Sequence, residues 1–156
     1  MSAIESRLRE LGITLPTPAV PVANYVPFRR SGNLLIIAGQ LCIGPDGTIA
    51  EKHKGKLGAN VSVEDAREAA KFCAVNLLAQ AKAALGDLDR IGACLRLGGF
   101  IASTPDFTGH AQVMNGASDL MVGALGEAGK HARTTIGVPV LPGDVVVEVD
   151  AMFEVS

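Results

Sequence analysis

Two charged residues near the carboxyl end of the chain have the side-chain types that a small-molecule site requires. Arg133 carries a guanidinium, whose parallel N–H donors match a carboxylate and which stays charged at any relevant pH. Glu148 carries a carboxylate of the kind that can hold or deprotonate water. An arginine that opens a strand is usually a surface or ion-pairing residue, so residue type alone favours a structural role for Arg133.

The other residue types that carry chemistry are not arranged in any familiar catalytic or metal-binding pattern. His53, His110 and His131 are far apart and lack metal-ligand spacing, so no metal is expected. We expect His110 and His131 to be capping or surface residues rather than general bases. The sequence contains no P-loop, GxGxxG, HExxH or GxSxG motif, which gives no reason to expect a nucleotide, a cofactor or a serine nucleophile.

Composition limits the class of protein. The 156 residues fit one compact domain (1–156), of which 48% are hydrophobic and only 4% aromatic. The net charge of −2 argues against a nucleic-acid partner. The three cysteines contain no CxxC pair and are expected to be buried free thiols in a reducing compartment. Without a signal-peptide pattern or a membrane-length apolar run, we expect a soluble cytoplasmic protein with no membrane partner.

The elements that must position these residues follow from turn signals and apolar periodicity. Ser2 and Glu5 form a capping-box pattern that predicts a helix over residues 2–11, and Leu15–Pro21 is expected to be an extended arm. Strands and helices do not alternate strictly, which indicates an α+β sheet with helices on one face. The other predicted elements are helices over residues 63–85 and 106–128, strands at Tyr25–Arg30, Leu34–Gly39 and residues 90–103, and a final hairpin of Ala132–Val138 and Val145–Val155.

The last strand and one loop have polar patterns that need an explanation. Within Val145–Val155, valines and other apolar residues occupy one face, while Glu148, Asp150 and Glu154 share the opposite face. That polar face is either a solvated surface or the lining of a space between subunits. The loop Glu51–Lys56 is most simply a solvated surface.

Several short motifs, taken together in order and spacing, resemble the YjgF-like (Rid) family, also called endoribonuclease L-PSP or translation initiation inhibitor. The resemblance covers residues 20–156, and residues 1–19 form an N-terminal helix and arm that are similar to a longer subgroup. It rests on Tyr25, Ala38-Gly39-Gln40, Asn115, His131-Ala132-Arg133-Thr134-Thr135, Leu141-Pro142 and the strand around Glu148.

The resemblance implies a fold, an assembly and an activity. The fold would be chorismate mutase-like (bacillus-type) α+β, with a mixed sheet, two main helices on one face, and homotrimers with clefts between subunits. The activity would be hydrolysis of reactive 2-imino or 2-enamino acids to 2-keto acids and ammonia, as in 2-iminobutanoate/2-iminopropanoate deaminases. Neither a cofactor nor a metal would be needed.

The resemblance also implies roles for individual residues. Arg133 would hold the substrate carboxylate and Glu148 would activate water, while Tyr25 would close the cleft and Asn115 would support its polar contacts. The backbone near Thr135 would add hydrogen bonds. The remaining implied substrate-binding positions are Ala38 and Gly39, and Ala38 replaces a family serine, which removes one hydroxyl donor.

Geometry and function leave alternatives open at this stage. In a simple hairpin, Glu148 would pair near Gly137, about 13 Å along the strand from Arg133. Contact between Arg133 and Glu148 would then need a bulge, a long reach or a neighbouring subunit. A non-catalytic protein that binds 2-keto acids is an alternative function. An endoribonuclease or translation inhibitor is disfavoured because the chain lacks a basic stripe and aromatic platforms.

Overall fold

Local sequence signals set the ends of the helices. The Ser2 hydroxyl accepts from the Glu5 backbone N–H in a complete capping box, and Ser62 caps the second helix by accepting from Asp65. A computed structural model describes residues 2–156. Its elements are α1 (Ala3–Glu10), β1 (Phe28–Ser31), β2 (Leu34–Leu41), α2 (Val63–Leu85), β3 (Ile91–Ala102), α3 (His110–Leu125), β4 (Ala132–Val138) and β5 (Val147–Val155).

The five strands form one mixed sheet in the order β1-β2-β5-β3-β4. Strand β5 lies in the centre and runs antiparallel to both β2 and β3, whereas β4 runs parallel to β3 at one edge. Helix α2 packs on β2 and β5, and α3 packs on α2, β3 and β4. The expected α+β fold with both long helices on one sheet face is therefore confirmed.

Small side chains bring α2 close to the sheet. Ala66, Ala69, Ala70 and Cys73 recur at helical spacing and are fully buried. On β5, the predicted alternation is also present, because every second residue from Val147 to Val155 is buried and the residues between are not. No helix in the described part of the chain is long and apolar enough to cross a bilayer.

The predicted C-terminal hairpin is wrong. A turn does form at Leu141–Asp144, where the Asp144 N–H donates to the Leu141 carbonyl at 3.0 Å and Gly143 has a φ of 65°. The strands on either side of this turn do not pair, because β5 is inserted between β2 and β3 while β4 joins the far side of β3. The β3–α3–β4 segment is a crossover connection, the arrangement that parallel neighbours require.

Three smaller boundaries also differ from expectation. The first strand begins at Phe28 rather than Tyr25, because Pro27 has no N–H to donate to a strand partner. Helix α3 begins at His110 rather than residue 106, and its regular part ends at Gly126, which has a φ of 65°.

The loop Glu51–Lys56 is not simply a solvated surface. His53 within it is fully buried, and its Nε2 lies 2.8 Å from Glu68 Oε2 on α2. The His53 carbonyl accepts from the Val146 N–H at 2.8 Å, and Gly55 N–H donates to the Asp144 carbonyl at 2.8 Å. The loop is therefore fixed against the segment that leads into β5.

Candidate functional site

Arg133 is held on one side by two residues of α3. Its Nη1 donates to Asn115 Oδ1 at 2.8 Å and to Ser118 Oγ at 3.1 Å. The side chain is half-buried, and it takes part in none of the ion pairs found among residues 2–156. A partly desolvated guanidinium without a carboxylate partner favours an anionic ligand.

A second chain of hydrogen bonds fixes the orientation of Ser118. His131 Nδ1 lies 2.6 Å from the Gly129 carbonyl, so in the neutral ring this nitrogen carries the proton and donates it. His131 Nε2 then accepts from the Ser118 hydroxyl at 2.9 Å. With its proton committed to His131, Ser118 Oγ presents a lone pair to Arg133.

Glu148 belongs to a different cluster, centred on an irregularity in β2. The β2–β5 register shifts between Ile37 and Gln40, which places Ala38 and Gly39 in a bulge beside Glu148. A Cβ on Gly39 would collide with the Glu148 carboxylate, so this glycine lets the side chain lie across the backbone. Burial, and secondarily the negative charge of Asp150, raises the pKa of Glu148.

Arg133 and Glu148 project from opposite faces of the sheet. Leu97 pairs with both Arg133 and Ala151, whose side chains lie on the helix-covered face. Phe100 pairs with Glu148 and lies three residues after Leu97 on β3. Because side chains alternate along a strand, Phe100 and Glu148 point to the opposite face, which no helix within residues 2–156 covers and which we call the open face. Two strand spacings and three residues separate the two backbones by roughly 14 Å. One chain therefore does not bring the two groups together.

The remaining predicted site residues lie at different distances from these clusters. Thr135 shares the face of Arg133 on β4, and its buried Oγ1 has no hydrogen-bond partner within residues 2–156. Tyr25 precedes β1 and is 55% exposed, outside any strand. Asn115 is the one predicted site residue whose side chain is hydrogen-bonded to Arg133 within residues 2–156.

Ser118 and His131 were not predicted to belong to the site. The missed signal is helical spacing, since Ser118 follows Asn115 by one turn and so shares its face of α3. His131 was expected to have a capping or surface role, and the structure adds a hydrogen bond between its Nε2 and the Ser118 hydroxyl. His110, expected to be a capping or surface residue, is the half-buried first residue of α3, and its Nε2 lies 3.2 Å from Ser103 Oγ.

The three cysteines are free thiols, and they do not combine with other side chains of the described residues into a metal site. Cys42, Cys73 and Cys94 are buried free thiols, as expected. Burial raises the pKa of Cys94 to about 12 and that of Cys73 well above its usual range, which keeps both thiols protonated and poorly nucleophilic. Within residues 2–156, no group of three or more His, Cys, Asp or Glu side chains is placed to hold a metal ion.

Comparisons with known proteins agree with this architecture over nearly the whole chain. The family model described as "YjgF/chorismate_mutase-like, putative endoribonuclease" matches residues 5–155. Protein TCP17 of Trypanosoma cruzi is 42% identical over 154 residues, which cover 98% of this chain and 94% of that protein.

Solved structures support the same assignment. The crystal structure of Atu1372 from Agrobacterium tumefaciens, of unknown function, is 50% identical with a TM-score of 0.90, covering 98% of this chain and 92% of that one. A structure from Shewanella oneidensis, described as a putative endoribonuclease, is 33% identical with a TM-score of 0.93, covering 99% and 100% of the two chains. The resemblance seen in the sequence is thus confirmed, and the chain belongs to the YjgF/chorismate mutase-like family.

Proposed function

We propose that this protein hydrolyses reactive 2-imino and 2-enamino acids to 2-keto acids and ammonia. The observation that carries the proposal is the half-buried Arg133 guanidinium, which Asn115 and Ser118 hold from one side and which no carboxylate of residues 2–156 neutralises. Substrates of this class carry a carboxylate next to the reacting carbon. Anchoring that carboxylate on Arg133 fixes the position of the C=N bond.

The reaction then requires an activated water molecule. Water attacks the carbon of the protonated imine; its oxygen forms the new C–O bond, the C=N π electrons move to nitrogen, and Glu148 accepts one water proton. Glu148 then returns this proton to the nitrogen of the resulting carbinolamine. Ammonia leaves as the C–N bond breaks, while the hydroxyl group gives its proton to Glu148 and the C=O bond forms. A raised pKa suits this exchange, because Glu148 must both take a proton and return one.

We further propose that the site is completed between subunits of a homotrimer. Arg133 and Glu148 face opposite sides of the sheet, so a cleft containing both must draw them from two chains. The open face carries apolar side chains that favour such burial: Ile36 is 44% exposed and Ile136 is 46% exposed. Tyr25, exposed at the sheet margin, is available to cover the cleft in this assembly.

The test of the activity is Arg133→Ala in an assay that generates the imine in situ with a serine/threonine dehydratase and measures the rate of keto acid release. Loss of a charged bidentate contact should lower kcat/KM by roughly 10- to 100-fold or more. Arg67→Ala is the matched control, because Arg67 pairs with Asp119 on the exposed surface at 2.9 Å. Equal rates for the wild type and Arg133→Ala would refute the assignment.

A non-catalytic 2-keto acid binding protein is the second candidate, and the observation that favours it is Ala38. This residue lies in the bulge beside Glu148, where the family serine would supply a hydroxyl. The missing hydrogen bond is worth about 0.5–1.5 kcal/mol, enough to alter rate or preference without necessarily abolishing chemistry. Binding of a keto acid without imine turnover, together with turnover gained in Ala38→Ser, would support this candidate.

A further inference from the structure

The structure contains a cavity at the opposite end of β4 from Arg133. A cavity of about 600 Å³ lies where β3 ends, α3 begins and β4 ends. Its polar lining includes Lys56, Ser103 and His110, and its apolar lining includes Phe107, Val138 and Pro139. The volume is within the range of about 300–1,000 Å³ typical of small-molecule sites.

The charged residue of this cavity lacks an internal partner. Lys56 is half-buried, yet it is absent from the ion pairs formed among residues 2–156, whereas Lys52, Lys54, Lys82 and Lys130 each have a carboxylate partner. A partly desolvated ammonium is stabilised by a nearby anion. No Asp or Glu side chain within residues 2–156 forms an ion pair with Lys56.

The Lys56 backbone is held in place by the surrounding structure. Its N–H donates to Asn60 Oδ1 at 3.0 Å, and the next residue, Leu57, donates to the Ala102 carbonyl at the end of β3 at 3.0 Å. On the other side, Gly55 donates to the Asp144 carbonyl at 2.8 Å. Because this backbone is already fixed, binding of a ligand to Lys56 costs little backbone entropy.

A glycine on β4 lets the hydrogen-bonding groups of the cavity lie close to the strand. Ser103 is 8% exposed, and its Oγ lies 3.2 Å from His110 Nε2. A Cβ on Gly137 would lie 2.6 Å from His110 Nε2 and 2.7 Å from Ser103 Oγ. Both polar atoms therefore pack against Gly137, and a larger residue there would displace them from the cavity wall.

The start of α3 adds to the positive character of this space. His110 is the first residue of the helix, and the N-cap residue Gly109 supplies no side-chain hydrogen bond to its first N–H groups. Helix amino termini favour negative charge for this reason. Together with Lys56, this arrangement selects an anion, and the apolar wall selects a ligand with a hydrocarbon portion.

We propose that this cavity is a second binding site, for a small carboxylate with an apolar body. Lys56 supplies the positive charge, Ser103 and His110 supply hydrogen bonds, and Phe107 contacts the apolar part of the ligand. Gly137 lies about 13 Å along β4 from Arg133, so the two sites are separate. The proposal does not depend on imine hydrolysis at Arg133.

The probe is sodium butyrate, titrated into the isotope-labelled full-length protein and followed by amide chemical shifts. Saturable shifts are expected at Ser103, His110 and Gly137, with butyramide, the uncharged analogue, producing much smaller ones. Lys56→Gln should weaken the butyrate response roughly tenfold or more, since a charged hydrogen-bonding partner is lost. Lys71→Gln removes an exposed lysine away from this cavity and should leave the response unchanged.

Two further variants separate this site from the one at Arg133. Gly137→Ala should abolish the cavity response by displacing the Ser103 and His110 side chains, and Arg133→Ala should preserve it. If Gly137→Ala disturbs the sheet, Lys56→Gln still decides the matter. Shifts confined to the surroundings of Arg133 and Asn115, equal binding of butyramide, or no response at millimolar butyrate would each overturn the proposal.

Discussion

The Ser118 hydroxyl group is one of two α3 groups that orient the Arg133 guanidinium, the other being the Asn115 amide oxygen. Ser118 accepts a hydrogen bond from Arg133 Nη1, while its own proton is directed to His131. Because His131 is in turn anchored on the Gly129 carbonyl, the end of α3 and the start of β4 are tied to the same guanidinium. Under the proposed function, Ser118 is thus a positioning residue that acts through Arg133 rather than on substrate.

This arrangement predicts the effect of Ser118→Ala. Losing one hydrogen bond of about 0.5–1.5 kcal/mol should lower kcat/KM by roughly 2- to 12-fold, mainly through a higher KM for the carboxylate substrate. Steady-state kinetics with the dehydratase-coupled assay would measure this. Ser118→Thr, which keeps the hydroxyl, should restore most of the affinity, and its failure to do so would argue against positioning through hydrogen bonding.

Burial of Glu148 favours its neutral form, whereas the proposed reaction uses its ionised form. Its pKa is raised above the ordinary value of 4.5, so between 4.5 and the raised value the folded chain binds more protons than the unfolded chain. Stability contributed by this group therefore falls as the pH rises through that interval. The ionised form, which is the base in the proposed mechanism, is the form that the fold disfavours.

Glu148→Gln should separate these two effects. Loss of the base should reduce kcat by about 10²- to 10⁴-fold, while thermal unfolding at neutral pH should occur at the same or a higher temperature. The stability difference should vanish below pH 4.5, where the native carboxyl is also neutral. A variant that is inactive and clearly less stable at neutral pH would contradict this account.

The elements differ in how well the sequence predicts them. Helix α2 and strand β5 have strong periodic patterns and are capped or bounded by clear turn residues, so their identities follow directly. The pairing of β4 does not follow from the sequence, because the Leu141–Asp144 turn has the same residues whether its flanking strands pair or diverge. The two edges of β5 pair with β2 and β3, and this choice depends on contacts between distant parts of the chain.

The candidate site is predictable in its residues but not in its arrangement. Family motifs identify Arg133, Asn115 and Glu148, and helical spacing could have added Ser118. The register of β3 places Arg133 and Glu148 on opposite faces of the sheet. Arg133 pairs with Leu97 and Glu148 pairs with Phe100, and these two β3 residues are three positions apart. No local pattern encodes that register.

In the proposed homotrimer, the open face of the sheet is the surface through which whole chains associate. Ile36 pairs with Met152 on this face and is 44% exposed in the single chain. Placing a charge there should prevent its burial against another subunit, since an unpaired buried charge is costly. We therefore expect Ile36→Asp to reduce the mass in solution from about three times 16.1 kDa to 16.1 kDa.

Size-exclusion chromatography with light scattering, or sedimentation velocity, would make this measurement. Val122→Asp is the matched control, because Val122 has a similar exposure of 37% but lies on α3, away from the open face. Its mass should remain that of the wild type. If the wild type itself has the mass of a single chain, the proposed assembly is refuted.

The opposed directions of Arg133 and Glu148 also have a genetic consequence. If each cleft takes its arginine from one chain and its glutamate from another, Arg133→Ala and Glu148→Gln chains are each inactive alone but can complement one another. Random co-assembly of equal amounts should restore about one quarter of the wild-type sites, since each site needs an intact residue from both neighbours. Co-expressed mixtures that remain inactive despite mixed trimers would show that each chain builds its own site.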